Sequence, residues 1–345
     1  LYIPEMKEQK YLTTDASHIT IRHLLDHGAG FPEDNPWGDR QMAKTDEEFI
    51  VMIKKGISFS NEPGLHYEYS NMGYAMLGYI IKKVSGLSYQ TYITKNILEP
   101  LGMRNTYFEY SEVPANELAH GYRWLNEQWV EQPILHDGTY GAMGGMITSI
   151  EDFAKYTALH LSAWPARNDV DNGPVKRSSI REMQFPWNMS YFEPQNTYPY
   201  NRVCPKVSAY GYGLGWAKYC NNRLYIGHTG YGSNWKIMPD YGIGIISFSN
   251  LTYANLSLIN LEVLDTLITL AKLEPRKLAV SAILNQRKDE LIKLLPEWKN
   301  PEATHIFAEN FFMDYFPDSL RKEATTLFNK AGKIIKKSEL VFFSS

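Results

Sequence analysis

The stretch EPGLHYEYSNMGYAMLGYIIKKVSG, residues 62–86, decides how the rest of the chain is read. Asn61-Glu62-Pro63-Gly64 has turn composition, and Tyr67 to Ser70 reads as a short extended piece. From Gly73 to Val84 the apolar spacing predicts a helix that Ser85-Gly86 ends. Tyr69-Ser70-Asn71 therefore stands where an extended segment enters a helix. A Tyr hydroxyl, with an ordinary pKa of about 10, is a poor base at neutral pH. Set beside a cationic Lys, its phenolate form is favoured and can take a proton from a Ser hydroxyl. The Asn71 amide can donate to a substrate carbonyl and accept from the same Lys. Tyr219-Cys220-Asn221 and Tyr253-Ala254-Asn255 also match Tyr-x-Asn, so context alone separates the first copy.

Upstream, Ile19 to Asp26 has helical spacing with Thr20 as cap, and residues 27–39 read as a loop. Thr45 to Lys55 predicts a capped amphipathic helix with acids in its first turn. Downstream, Gln90 to Leu98 reads as helix stopped at Pro100, and Trp164 to Pro205 as loop-rich. Leu224–Gly227, Trp235–Met238 and Ile243–Ser249 read as strands, the last two forming a hairpin around Pro239-Asp240-Tyr241-Gly242. A helix is expected from Leu256 to Leu270. Past Glu274-Pro275 the character changes to charged helices over Ala279–Leu295 and Asp318–Lys336. The domain reading is 1–272 as one unit and 273–345 as a helical extension.

His228-Thr229-Gly230 follows the first of these strands. A glycine there lets a substrate backbone approach closely, and Thr229 offers a hydroxyl to a carboxylate or carbonyl. The backbone N–H of Tyr231 is a candidate oxyanion donor.

In order along the chain, ITIRHLLDHGAGFP, the 62–106 segment, GAMGGMITSIEDFAKY, YGYGLGW and GHTGYGSNWKIMPDYGIGIISFSN resemble the serine β-lactamase and penicillin-binding-protein family, in its class C-like branch. The likeness covers roughly Ile19 to Asn250. It implies an α+β fold, a mainly antiparallel sheet flanked by helices with a helical subdomain, and a site between them. It also implies acyl-enzyme hydrolysis of a small ester, a β-lactam or a D-amino-acid peptide. Tyr69, Asn71 and His228 take its catalytic positions, and Thr229, Gly230 and Tyr231 its substrate-binding and oxyanion positions. His228 stands where β-lactamases carry Lys; a neutral imidazole holds a carboxylate less firmly than permanent charge, which favours a peptidase or esterase relative.

One element of that family is missing. No Ser between Leu1 and Glu68 has a Lys three positions later, so the nucleophile is expected outside this chain, in a segment preceding Leu1 that would also hold the opening strands. Ser233-Asn234-Trp235-Lys236 matches Ser-x-x-Lys but leads into a strand, where i and i+3 point to opposite faces. Ser319-Leu320-Arg321-Lys322 begins a helix in the extension, where capping is the better reading. The alternative function is a non-catalytic relative that binds peptidoglycan-like peptides or a protein partner.

Composition narrows the classes. A formal net charge of -3 gives no basic face for nucleic acid. The longest apolar stretch, around Ile243 to Ser249, is too short to span a bilayer. The partner expected is thus a small-molecule or peptide substrate, with no cofactor. His23 and His27 share helix-face spacing, yet Leu24 follows His23 where a zinc hydrolase needs Glu, so structural hydrogen bonding is expected of both. Gly211, Gly213 and Gly215 lack the setting of a nucleotide loop and read as a tight strand crossing. Cys204 and Cys220 could pair in an oxidising compartment, but two cysteines make no disulfide framework and buried or free thiols are the favoured reading. Export to the periplasm is implied only by the resemblance.

Overall fold

Thr20 and Thr45 each open a helix by the same reciprocal bond. The Thr20 hydroxyl accepts from the His23 N–H while its own N–H donates to His23 Nδ1, and α1 runs Ile21–Leu25. The Thr45 hydroxyl and the Glu48 carboxylate do likewise at the start of α2, Asp46–Lys54. The chain is described by a computed structural model over residues 2–276 and 280–335. It divides into two compact units, residues 1–276 and 277–345.

In the first unit α3 spans Asn71–Ser85 and ends on Gly86, whose φ of 74° is the left-handed turn that glycine adopts without cost. Its apolar face, with Ala75, Met76 and Tyr79, packs on Leu24, Phe31, Phe49, Ile53 and Tyr140. A Cβ on Gly78 would stand 2.4 Å from that of Ala142, so the short helical turn Thr139–Met143 lies directly on α3. The helix expected to stop at Pro100 runs from Tyr89 to Leu101, widening through Thr94–Leu98. Pro100 falls near the end of this run, and Gly102 ends it.

A hairpin follows, β1 (Tyr122–Leu125) against β2 (Gln128–Glu131), then α4 (Ile150–Ser162), capped by Ser149. The centre is less irregular than its composition predicts. It contains α5 (Arg177–Met183) and β3 (Asn188–Glu193). The main sheet continues with β4 (Lys206–Tyr210), β5 (Gly215–Tyr219), β6 (Leu224–Thr229), β7 (Ser233–Met238) and β8 (Ile243–Phe248). All pairs are antiparallel, in the order β8-β7-β6-β5-β4-β3. Tyr225 and Met238 pack against Leu261, Leu264 and Ile268 of α6 (Leu256–Ala271). Ile226, Trp235 and Ile237 pack on the opposite face against Phe153 and Tyr156 of α4. The fold is α+β, a six-stranded sheet between helices.

Alternation along β7 puts Ser233 and Lys236 on opposite faces, which removes this Ser-x-x-Lys as a catalytic pair. The glycines of residues 210–216 make the β4–β5 connection: Gly211 N–H donates to the Leu214 carbonyl, and Gly213 has φ 73°. The cysteine reading is overturned. Cys204 and Cys220 form a disulfide, with Cα atoms 5.3 Å apart, tying the start of β4 to the end of β5. Two cysteines 16 positions apart gave no framework to recognise; the β4–β5 pairing brings them together.

The second unit holds α7 (Ala282–Leu294), capped by Ser281, and α8 (Pro317–Ala331). Ala279 and Lys336, outer limits of the two expected helices, lie outside the described residues. Ser319 is not the cap of α8: the helix is entered from Phe316, and Ser319 lies inside the first turn. Phe307, Phe311, Phe312 and Tyr315 stack into an aromatic cluster. Among the described residues no helix is long and apolar enough to cross a membrane.

Candidate active site

Tyr69-Ser70-Asn71 and His228-Thr229-Gly230, more than 150 positions apart, meet in space: the rings of Tyr69 and His228 lie 6.4 Å apart. Sequence reasoning missed how they are held. Ser70 is the N-cap of α3 but makes no capping bond with its own side chain. Asp34 caps the helix instead. Its carboxylate accepts from the Asn71 N–H at 2.7 Å and the Met72 N–H at 3.0 Å. A carboxylate at a helix N-terminus satisfies open donors and the helix dipole together. Burial raises the Asp34 pKa, and the two N–H bonds pull it back. No local signal marks Asp34, because it is 37 residues from the N–H it caps. Asn71 is buried, and a Cβ on Gly38 would come within 2.7 Å of its Nδ2, so Gly38 leaves the room its amide fills.

His27 is the second missed element. It is buried, has φ 56°, and its Nδ1 accepts the Ser70 N–H at 3.1 Å. Its ring lies 4.2 Å from that of Tyr69 and 4.5 Å from that of Tyr210. Burial first, and the nearby His228 second, push its pKa down to about 3, so it is neutral. The expected structural hydrogen bonding of His23 and His27 is what the two residues make.

Tyr210 ends β4 and touches both His27 and His228. Its hydroxyl and His228 Nε2 meet at 2.9 Å. Burial lowers the His228 pKa, which favours the uncharged imidazole. Tyr74 donates from its hydroxyl to the Leu25 carbonyl at 2.7 Å, fixing α3 against α1 behind this cluster.

His228 and Thr229 are the last residues of β6, not residues beyond it. Thr229, Gly230 and Tyr231 are exposed at the strand end. Gly230 donates its N–H to the Ser233 carbonyl at 2.8 Å, and a Cβ there would lie 2.5 Å from Ser233 Oγ. A side chain at this position would displace the Ser233 hydroxyl. A buried amide chain supports the strand: Ser247 Oγ donates to Asn260 Oδ1 at 2.6 Å, and Asn260 Nδ2 donates to Asn234 Oδ1 at 2.7 Å. Asn234 Nδ2 in turn reaches the His228 carbonyl at 3.5 Å.

Of the other Tyr-x-Asn matches, Tyr219 is buried on the α6 face of the sheet, and Tyr253 lies beside Tyr231 with ring centres 5.7 Å apart. No cluster of His, Cys, Asp or Glu suited to a metal occurs among the described residues.

Residues 2–268 match the family model described as Beta-lactamase. Protein flp of Staphylococcus aureus (strain MW2) is 28% identical over 281 residues, 79% of this chain and 50% of that protein. Unguisins hydrolase ungD' of Aspergillus campestris (strain IBT 28561) is 26% identical over 256 residues, 70% of this chain and 44% of that protein. The chain spans about half the length of these curated relatives. Among solved structures, the octameric penicillin-binding protein homologue from Pyrococcus abyssi is 29% identical with a TM-score of 0.59. That match covers 73% of this chain and 56% of the other.

Proposed function

The chain belongs to the Beta-lactamase family, a hydrolase family, and on that premise we propose that it carries the general-base and oxyanion side of a serine hydrolase site. The nucleophilic Ser is supplied by polypeptide outside Leu1–Ser345, since no Ser-x-x-Lys precedes Tyr69. The observation that carries this reading is the 6.4 Å approach of Tyr69 to His228, with Tyr210 bonded to His228 and its ring 4.5 Å from that of His27.

In the proposed reaction the Ser hydroxyl attacks a carbonyl carbon and its proton passes to Tyr69. The carbonyl oxygen takes the negative charge and meets the Tyr231 N–H. The leaving group departs with the proton held by Tyr69, and an acyl-Ser ester remains. Water then adds to that ester, releasing the acid and restoring the Ser. Asn71 donates its amide to the substrate carbonyl and Thr229 holds the substrate's polar end. Neutral His228 adds no permanent charge at the strand end, which favours a small ester or a D-amino-acid peptide over a β-lactam. The Cys204–Cys220 bridge supports maturation in an oxidising, exported compartment. Residues 273–345 are read as a helical extension.

Intact-mass measurement of the gene's natural product, before and after a fluorophosphonate probe, tests the reading. One stoichiometric adduct on a Ser outside residues 1–345 is expected, forming about a hundredfold or more slowly in Tyr69→Phe. A protein that takes no adduct is instead the non-catalytic binder.

A further inference from the structure

Arg123 of β1 is the guanidinium whose setting the proposed reaction leaves unexplained. Its Cζ lies 5.7 Å from the ring of Tyr231 and 5.6 Å from that of Tyr253, so two aromatic rings hold one cation. Nη2 reaches the Tyr231 hydroxyl at 3.4 Å. Nε is buried and meets no acceptor among the described residues. No carboxylate there pairs with Arg123, whereas Arg177 and Arg223 have theirs in Asp169 and Asp265. A half-buried guanidinium without a counter-charge retains an unspent capacity for an anion.

The position is tied to the cleft by backbone. Tyr122 donates its N–H to the Asn250 carbonyl at 2.7 Å and accepts from the Thr252 N–H at 2.9 Å. Tyr253 donates its N–H to the Tyr231 carbonyl at 3.1 Å. Tyr231 directly follows His228-Thr229-Gly230, so the hairpin hangs beside the end of β6. Tyr253 adopts φ 58°, a left-handed conformation that a bulky residue reaches only at a cost. Such strain is kept where the surrounding structure holds it, and here it places a ring on the guanidinium.

We propose that Arg123, clamped by Tyr231 and Tyr253 beside the Thr229-Gly230 strand end, is a specificity-determining residue that selects ligands carrying a carboxylate. The inference rests on the reading that this strand end lines the substrate cleft. It restores to the site a permanent charge that His228 does not give, and it places that charge on the β1–β2 hairpin. The preferred substrate is then an amide or ester with a free carboxylate near the scissile bond, not a neutral ester.

The test is binding, which requires no nucleophile. N-acetyl-D-alanine and its neutral amide are titrated calorimetrically into the purified full-length protein and into its Arg123→Gln and Arg123→Lys variants. In the parent protein the carboxylate binds about tenfold or more tightly than the amide. Arg123→Gln brings the two within about twofold, and Arg123→Lys, with charge but no planar fork, falls between. Equal affinities in the parent, no saturable binding of either compound, or a preference that survives in Arg123→Gln overturns the proposal. A lowered melting temperature in Arg123→Gln with the preference intact does so too, by making the residue structural. Failure of the serine adduct described above would overturn the hydrolase reading while leaving this preference measurable.

Discussion

The backbone N–H of Ser70 donates to Nδ1 of His27 across 3.1 Å, although 43 positions separate the two residues. That bond fixes His27 as the Nε2–H tautomer and pins the Tyr-Ser-Asn turn to the loop after α1. With Asp34 on the next two N–H groups, three consecutive backbone donors at Ser70, Asn71 and Met72 are satisfied from one loop. The entry to α3 is thereby set before Tyr69 is asked to do chemistry.

His27→Phe keeps an aromatic ring against Tyr69 and removes the acceptor. A buried N–H left without a partner costs about 1–3 kcal/mol. Urea unfolding of the variant should show a loss of that size. An unchanged midpoint would mean that the Ser70 bond contributes nothing.

Burial holds His27 down to about 3 and His160 down to about 4, both below the ordinary imidazole value. The unfolded chain therefore binds protons that the native state refuses. The stability these neutral imidazoles allow is present above about pH 6.5 and is lost as pH falls towards 4. Asp26, raised to about 6 by burial, works the other way, since its native carboxyl holds a proton that the unfolded one releases. His160→Gln should lessen the acid loss, by at most on the order of 3 kcal/mol at pH 4. Melting temperatures from pH 8 to pH 4 decide it, and parallel curves for parent and variant would refute the assignment.

Asn260 is buried and joins Ser247 to Asn234, whose amide reaches the His228 carbonyl. Asn260→Leu has nearly the right volume and takes away the partner of Ser247 Oγ and of Asn234 Oδ1. The loss expected from two stranded polar groups is about 2–4 kcal/mol, measured by chemical denaturation. A neutral effect would show that water enters the gap and replaces the amide.

The Cys204–Cys220 bridge closes a loop of 16 residues. Loop-closure entropy gives a bridge of that length about 3 kcal/mol. Thermal melts with and without reductant should differ accordingly, and free-thiol titration of the unfolded, unreduced protein should find none. Two reactive thiols per chain would contradict the pairing.

Much of the framework was legible from local chemistry. Thr20 and Thr45 announced their helices because capping is settled within three residues, and Gly86 ended α3 because a left-handed turn favours glycine. The hairpin of β7 and β8 followed from two apolar runs around Pro239–Gly242. The helical run through Pro100 and the order within residues 164–205 did not follow, since tertiary packing outweighs composition there.

The sequence by itself determined the family, the two motifs and their order, because each is a short run of residue types whose roles depend on neighbours in the chain. Only the tertiary structure decided what surrounds them. It brought Asp34 and His27 to the start of α3, Tyr210 to His228, Cys204 to Cys220, and Arg123 between Tyr231 and Tyr253. Each of these contacts joins residues at least 16 positions apart, and no local propensity encodes a partner that distant.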